Sequence, residues 1–356
     1  MAYHISFSSV WEYRNAESVF LTAFPLQKLN ICIMIESTNV NAPAWSDFPR
    51  TVLRGIGQVM FQDSMWTGFL FLVGIFWGAY AEDSGIVAWG ALTGVVVSTI
   101  TGYFLRLSDE NGAQGLWGFN GVLVGCAFPT FMANTIWMWL ALILCAAMTT
   151  WVRTALNKVF APYNCTSFTF PFVLCTWFFL LAARYMHGMA PEFEAIPTAA
   201  VETTGHLDMG FGHLVIYWLK GISQVFLINS WVTGIFFLAG LAVSSLRTAL
   251  WAAIASAVAL FMIIGWGGPA VDIAQGQYGF SAVLTGIALG STFCNPGSWR
   301  TWIWSLLGIA ATVFIQAGMN AAFAPIGLAT LTGPFCIGTW LFLMPGYKLF
   351  APAKTS

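Results

Sequence analysis

The stretch Gly115-Leu-Trp-Gly-Phe-Asn-Gly-Val-Leu-Val-Gly125 recurs 161 residues later as Gly276-Gln-Tyr-Gly-Phe-Ser-Ala-Val-Leu-Thr-Gly286. Two further stretches recur in the same order: 54–68 returns as 220–234, and 169–177 as 332–340. Each copy lies beside or inside an apolar run. Two copies of one membrane unit indicate a pseudo-two-fold axis, and transporters built this way bind their substrate where the halves meet. Residues present in both copies are therefore the first candidates for lining a transport path.

The composition indicates an all-α polytopic membrane protein. The chain is 58% hydrophobic and only 8% charged, whereas soluble domains carry about 25% charged residues. A net charge of −1 argues against a nucleic-acid partner, because no basic patch is available to neutralise phosphates. The seven cysteines contain no CxxC pair, so the sequence predicts neither a disulfide framework nor a metal site.

Ten apolar runs predict membrane spans, which need about 20 mainly apolar residues each. In the first half they are 65–82, 86–105, 119–133, 136–152 and 169–187; in the second, 232–246, 249–266, 279–293, 301–320 and 335–349. Two shorter segments, 51–62 and 217–228, precede the two sets. As helices they would cross about half a bilayer, so they are predicted to be re-entrant half-helices sheltered by protein.

Five spans per half is an odd number, so the two repeats are expected to face opposite ways around a central pore. With the N-terminus in the cytoplasm, nearly all assigned Lys and Arg residues fall on the cytoplasmic side, and only Arg184 and Lys220 fall outside, as the positive-inside rule requires. Both termini are then cytoplasmic. The predicted organisation is an N-terminal extension, disordered at least in part (1–49), repeat 1 (50–187), an extracytoplasmic linker (188–215), repeat 2 (216–350) and a C-terminal tail (351–356).

Ionisable groups are missing where coupled transport would need them. No Asp, Glu, Lys or His lies in the middle of a predicted span, although ion-coupled pumps and proton relays depend on such groups. A histidine-lined ammonium pathway is disfavoured for the same reason. No nucleophile–base–acid set or phosphate-binding loop occurs, so the chain is not expected to be an enzyme. A neutral path for a small uncharged polar solute is what remains.

The duplicated Thr-x-Pro-Phe blocks at 169–172 and 332–335 resemble the Leu-Pro-x-x-Thr-x-Pro-Phe motif of urea transporters, and 118–125 is similar to another segment of that family. The resemblance covers roughly 50–350. The first copy has lost the leading Leu-Pro, and the second has Ala329 in place of the proline. The resemblance implies a passive urea channel with a narrow dewetted filter and no cofactor. It also implies a homotrimer in a lipid bilayer, either a plasma membrane or, as we favour here, a bacterial inner membrane.

Two duplicated positions lie on the half-helices. Gln58 and Phe61 are three residues apart and would share one helical face, and Gln224 and Leu227 repeat this spacing. A membrane-buried glutamine is costly without partners. It could simply hold the half-helix by a tertiary hydrogen bond. The resemblance implies instead that these positions bind urea at the two mouths of the filter.

Phe119 and Phe280 each begin a predicted span, with Leu123 and Leu284 one turn further on. Aromatic residues in membrane helices usually serve packing. The resemblance implies that these four residues form the walls of a flat slot. Urea is planar and fits between two apolar faces, whereas stripping the water from an ion in such a slot is prohibitive.

Thr169 and Thr332 precede Pro-Phe at the start of the fifth span in each half. Each hydroxyl could merely cap its helix. The resemblance places both across the pseudo-axis at mid-membrane, where they can accept hydrogen bonds from the N–H groups of urea.

Two rival functions remain open from the sequence. One is a channel for another small neutral solute, such as a short amide, water or ammonia. The other, a membrane-embedded enzyme or sensor, is weaker because the chain has no catalytic constellation and its loops are too short for a soluble domain.

Overall fold

The computed structural model describes residues 44–107, 112–189, 207–295 and 297–347. Most of the predicted N-terminal extension, most of the linker and the predicted C-terminal tail therefore lie outside the described residues. Within them, twelve helices are at least nine residues long. In chain order they are α1 Phe48–Gln58, α2 Met65–Ala81, α3 Gly85–Phe104, α4 Phe119–Phe131, α5 Ile136–Phe160, α6 Phe170–Ala182, α7 Phe211–Ser223, α8 Trp231–Ser244, α9 Leu246–Gly265, α10 Gly279–Ile287, α11 Trp299–Phe323 and α12 Gly333–Leu343.

The helices confirm an all-helical polytopic membrane protein. In the described part of the chain, α3, α5, α9 and α11 are long and apolar enough to cross a bilayer. The other predicted spans form shorter apolar helices, and α7 and α8 make a pair bent by 72°. Large apolar side chains point outward on these helices, with Phe104 82% and Leu246 76% exposed. Such a surface suits lipid and not water.

Both predicted half-helix segments end earlier than the sequence suggested. Helix α1 stops at Gln58, and Phe61 has left-handed backbone with φ 61°. Helix α7 stops at Ser223, and Leu227 has φ 57° after a 3-10 turn. A left-handed residue commonly terminates a helix in this way. The predicted helical face shared by Gln58 and Phe61 is therefore wrong: a turn, and not a continuous helix, carries Phe61.

Reciprocal hydrogen bonds join the two halves. The Thr67 hydroxyl on α2 donates to the Gly240 carbonyl on α8 at 2.8 Å, and the Thr233 hydroxyl on α8 donates to the Gly74 carbonyl on α2 at 2.7 Å. Thr233 and Gly240 each lie 166 residues after their counterparts, as in the first repeated block. Each threonine thus bonds the repeat equivalent of the glycine that its own equivalent bonds. Such a reciprocal contact has the form of a two-fold interface.

Two tryptophan side chains also make reciprocal hydrogen bonds between the halves, near α6 and α12. The Trp177 Nε1–H donates to the Ala329 carbonyl, and the Trp340 Nε1–H donates to the Thr166 carbonyl, both at 2.9 Å. Each tryptophan thereby ties one half to the loop that precedes the Pro-Phe helix of the other half. These bonds fix the relative position of the two loops.

Arg153 departs from the sequence expectation. The predicted span ended at residue 152 and left Arg153 at the membrane edge. Helix α5 instead continues to Phe160, which places Arg153 about two turns before the helix end. Its side chain is buried, with the residue only 8% exposed. An ionisable side chain therefore lies inside the helical bundle, next to the site described below.

Candidate functional site

Two cavities lie on either side of the junction between the halves. The first cavity, of about 330 Å³, is lined by residues that include Gln58, Phe61, Gln114, Phe119, Arg153 and Thr169. The second cavity, of about 360 Å³, is lined by residues that include Gln224, Leu227, Asp272, Phe280, Gln316 and Thr332. Eight of the ten sequence-predicted residues line one of these cavities, four in each. Leu123 and Leu284, the other two, are fully buried one turn into α4 and α10 and are not among the lining residues.

The two threonines meet between the cavities. Thr169 Oγ1 and Thr332 Oγ1 lie 2.6 Å apart and share a hydrogen bond, and Thr169 Oγ1 also lies 3.4 Å from Cys336 Sγ. In the described structure neither hydroxyl caps the helix that follows it. Helix capping therefore does not account for them here. Since Thr169 lines the first cavity and Thr332 the second, the hydroxyl pair forms the boundary that separates them.

The two glutamines bind equivalent carbonyl groups. Gln58 Nε2 donates to the Gln114 carbonyl at 2.8 Å, and Gln224 Nε2 donates to the Gln275 carbonyl at 2.9 Å. Each bond ties the end of α1 or α7 to the loop before α4 or α10, so a tertiary bond of the kind considered from the sequence is present. This bond uses the amide nitrogen of each glutamine. The amide oxygen is still a hydrogen-bond acceptor.

Glycines bring those loops close to the half-helices. Gly115 has φ 79° and Gly276 has φ 73°, a region that side-chain-bearing residues rarely adopt. A Cβ at either position would also overlap backbone atoms at Gly55 or Gly221. Both glycines follow an Ala-Gln pair. Extending the repeated block by these two residues would have identified Gln114 and Gln275 from the sequence.

A further duplicated asparagine supports the loops before α6 and α12. Asn157 and Asn320 each begin an Asn-x-x-Phe-Ala-Pro stretch, 163 residues apart, which the sequence analysis missed. Asn157 Oδ1 accepts from the Ser167 N–H at 2.8 Å and from the Ser167 hydroxyl at 2.7 Å. Asn320 Oδ1 accepts from the Thr330 hydroxyl at 3.0 Å. These bonds hold Ser167 and Thr330, which lie two residues before Thr169 and Thr332 respectively.

The aromatic lining differs between the two cavities. In the first, Phe61 packs edge-on against Phe168 and Phe293 with ring centroids 6.1 and 5.5 Å apart. The repeat equivalents of Phe61 and Phe168 in the second cavity are Leu227 and Leu331. Phe119 and Phe280, by contrast, are aromatic in both halves and nearly buried. The first cavity is therefore the more aromatic of the two.

The charges differ as well. Among the described residues that line the first cavity, Arg153 is the ionisable one, and its Cζ lies 5.7 Å from the centroid of the Phe119 ring. In the second cavity the ionisable lining residue is Asp272, on a short helix, Ala270–Ala274, in the loop between α9 and α10. Burial raises the pKa of the Asp272 carboxyl.

Comparisons with known proteins identify the family of this chain. The family model described as "Urea transporter" matches residues 49–347. The chain is similar to Urea transporter 1 of Ovis aries and of Capra hircus, with 30% identity to each over 85% of this chain and 78% of the relative. Urea transporter 1 of Rattus norvegicus is 28% identical over the same shares. The chain belongs to the urea transporter family.

Proposed function

We propose that this protein carries urea passively across a membrane, through a path that joins the two cavities at the Thr169–Thr332 pair. The observation that supports it best is the 2.6 Å hydroxyl pair itself. It is buried, it does not cap either helix in the described structure, and it lies where the cavities approach each other. Because neither hydroxyl is used to cap a helix, a role in the transport path is the proposed reason for the pair.

The chemistry of the path suits urea. Urea has four N–H donors and one acceptor, so a path lined on one side by hydrogen-bond acceptors complements it. When urea enters, each threonine can exchange its bond to the other hydroxyl for a bond from a urea N–H group, so neither oxygen is left unpaired. Phe119 and Phe280 present apolar walls on the two sides, which exclude hydrated ions because stripping their water is prohibitive.

The proposed architecture is a pair of inverted repeats, 50–187 and 216–350, each with five spans and one half-helix, α1 or α7. The reciprocal bonds of Thr67 and Thr233 support a two-fold relation between them. The loops that contribute to the first cavity are those that the positive-inside pattern assigns to the cytoplasm. We also propose that the linker 188–215 lies outside the cytoplasm and that the terminal segments 1–49 and 351–356 lie inside it. The proposed assembly is a homotrimer in a bacterial inner membrane.

Flux measurements on reconstituted protein test passive transport. In proteoliposomes, stopped-flow light scattering is expected to record urea entry whose rate is the same after proton and sodium gradients are collapsed, because the described residues that line the two cavities offer no coupled pair of titrating groups. Empty liposomes are the control. Urea accumulated above its external concentration at the expense of either gradient would contradict passive transport. Comparison with formamide, acetamide, glycerol and water separates urea from the rival small neutral solutes.

Cysteine labelling tests the orientation. Glu82 and Lys158 are exposed loop or helix-end positions that the proposed topology assigns to opposite faces. In a Cys32→Ser, Cys165→Ser background, Glu82→Cys in intact cells is expected to react with a membrane-impermeant maleimide, and Lys158→Cys only after the membrane is opened. The parental background controls for reaction at the other cysteines. The reverse pattern would invert the assignment of the two cavities.

A further inference from the structure

We propose that the second cavity holds a binding site for guanidinium compounds, anchored by the Asp272 carboxylate, and that a guanidinium ion bound there blocks the path to urea. The blocking effect rests on the proposed urea transport. Binding of the guanidinium ion does not depend on transport, so the site and the block can be tested separately.

The charge of the second cavity favours a cation. Asp272, on the short helix Ala270–Ala274, lines this cavity, and the other described lining residues are uncharged. Among these residues the carboxylate therefore sets the sign of the local potential. Burial raises the pKa of the carboxyl, and a cation beside it would favour the ionised form. The lining of the second cavity is thus suited to a small cation and not to an anion.

Two carboxamide side chains of the same lining have unpaired oxygens. Gln316 is only 2% exposed, and its Nε2 donates to the Thr330 hydroxyl at 2.9 Å and to Asn320 Oδ1 at 3.1 Å, which uses both of its N–H groups. Its Oε1 has no hydrogen-bond partner among the described residues, and the same holds for Asn229 Oδ1. An unpaired buried acceptor is costly. Both side chains therefore favour a ligand that supplies N–H groups.

The Phe280 ring offers a further contact to a flat cation. In the first cavity the equivalent ring, Phe119, has the guanidinium of Arg153 over it, with Cζ 5.7 Å from the ring centroid. Phe280 lines the second cavity, and the residue equivalent to Arg153 in that half is the shorter, uncharged Gln316. A free guanidinium ion in the second cavity can make the same cation–π contact with Phe280.

A guanidinium ion matches this set of groups better than other small solutes do. It is planar, carries N–H donors and no acceptor, pairs with both oxygens of a carboxylate and stacks on aromatic rings. Tetramethylammonium has the same charge but no N–H group. Urea has the shape and the N–H groups but no charge, so it gains less from Asp272. The apolar walls beyond the cavity exclude ions, so a bound guanidinium ion occupies the cavity without crossing.

A binding experiment tests the site without any transport. Methylguanidinium is the probe, because its methyl protons report contact with the purified protein in saturation-transfer difference NMR. Half-saturation is expected to need at least about ten-fold more methylguanidinium in Asp272→Asn than in the parent, the scale of a charge-assisted hydrogen bond. Asparagine is nearly isosteric, and Asn111 has the equivalent place in the first repeat. Asp272→Glu, which keeps the charge, is expected to bind more tightly than Asp272→Asn. Equal half-saturation in Asp272→Asn and the parent would overturn the site.

Urea flux into proteoliposomes tests the block. Methylguanidinium on both sides of the membrane is expected to halve the urea permeability of the parent near the concentration that half-saturates binding. The half-blocking concentration is expected to rise at least about ten-fold in Asp272→Asn, with each variant normalised to its own flux without methylguanidinium. Urea flux that saturating methylguanidinium leaves unchanged would refute the block. A parent that binds methylguanidinium and carries no urea would refute the proposed function and not the site.

Two controls separate recognition from general attraction of cations. Tetramethylammonium chloride at equal concentration matches the charge and the ionic strength, and it is expected to block far less. Glu82→Gln removes an exposed carboxylate from the loop between α2 and α3, outside the lining of both cavities, and is expected to respond to methylguanidinium as the parent does. An equal block by tetramethylammonium, or a shift in Glu82→Gln as large as that in Asp272→Asn, would refute recognition of guanidinium at Asp272.

Discussion

Replacement of Thr169 or Thr332 by valine is expected to slow urea flux about ten-fold at either site. The change exchanges a hydroxyl for a methyl group of nearly equal volume, and Pro171 and Pro334 still begin the helices that follow. The transported molecule loses one acceptor at the boundary between the two cavities, which costs about 1–2 kcal/mol. In the empty protein the variant also removes the 2.6 Å bond between the two hydroxyls, so the remaining threonine is less well positioned.

The double variant sharpens this prediction. Urea touches both hydroxyls at once, so Thr169→Val and Thr332→Val are expected to be non-additive in the free energy of the barrier. Water permeation should fall less, because water needs no fixed row of acceptors. The measurement is stopped-flow urea and water flux in proteoliposomes with matched amounts of protein.

A matched control is available on α3. Thr101→Val makes the same chemical change where the hydroxyl donates to the Val97 carbonyl of its own helix at 2.8 Å, away from both cavities. It is expected to conduct urea like the parent. If the Thr169 and Thr332 variants also assemble and conduct like the parent, the hydroxyl pair is not the filter.

Duplication within the chain is what identified eight residues that line the two cavities. Gln58, Phe119 and Thr169 are unremarkable residue types for a membrane protein, and only their recurrence at fixed offsets singled them out. A path on a pseudo-two-fold axis needs paired groups, so selection of paired residues found the cavity lining. The same comparison missed Gln114 because its block was begun one residue too late, and it missed Asn157 because the separate repeat at 157–162 and 320–325 was not recognised.

Residues without a counterpart were not predictable in this way. The repeat equivalent of Arg153 is Gln316, which is not basic. Hydropathy also ends the fourth predicted span just before Arg153, although helix α5 continues for seven more residues. Helix length there depends on packing of the next turns, which a hydropathy window does not measure. The turn at Phe61 was missed for a similar reason: a left-handed residue that is not glycine leaves little sequence signal.

Leu123 and Leu284 show a different limit of the sequence argument. Their repeat positions and family resemblance suggested walls of the slot, yet both are fully buried one turn beyond Phe119 and Phe280. Sequence spacing places a residue on a helix face but does not say which neighbour covers it. Whether these leucines contact urea during passage therefore remains a prediction.

A substitution where each half-helix packs against the first span of its repeat is expected to have a large effect on folding. Gly68 on α2 is buried against α1, and a Cβ at this position would overlap the carbonyl oxygen and carbon of Leu53. Gly234, its repeat equivalent, faces Leu219 in the same way. Because the obstacle is backbone and not the end of a flexible side chain, local adjustment cannot relieve it cheaply.

Gly68→Ala is therefore expected to cost at least about 2 kcal/mol of stability and to lower the Tm of the purified protein by about 3 °C or more, with urea flux falling because α1 carries Gln58. Gly318→Ala on α11 is the control: a Cβ there meets nothing within 4 Å, and alanine favours a helix over glycine by about 1 kcal/mol. Its Tm should stay level or rise. Thermal unfolding followed by size-exclusion chromatography measures both. Equal Tm values for the two alanine variants would mean that α1 does not pack on α2 as closely as the Gly68–Leu53 contact requires.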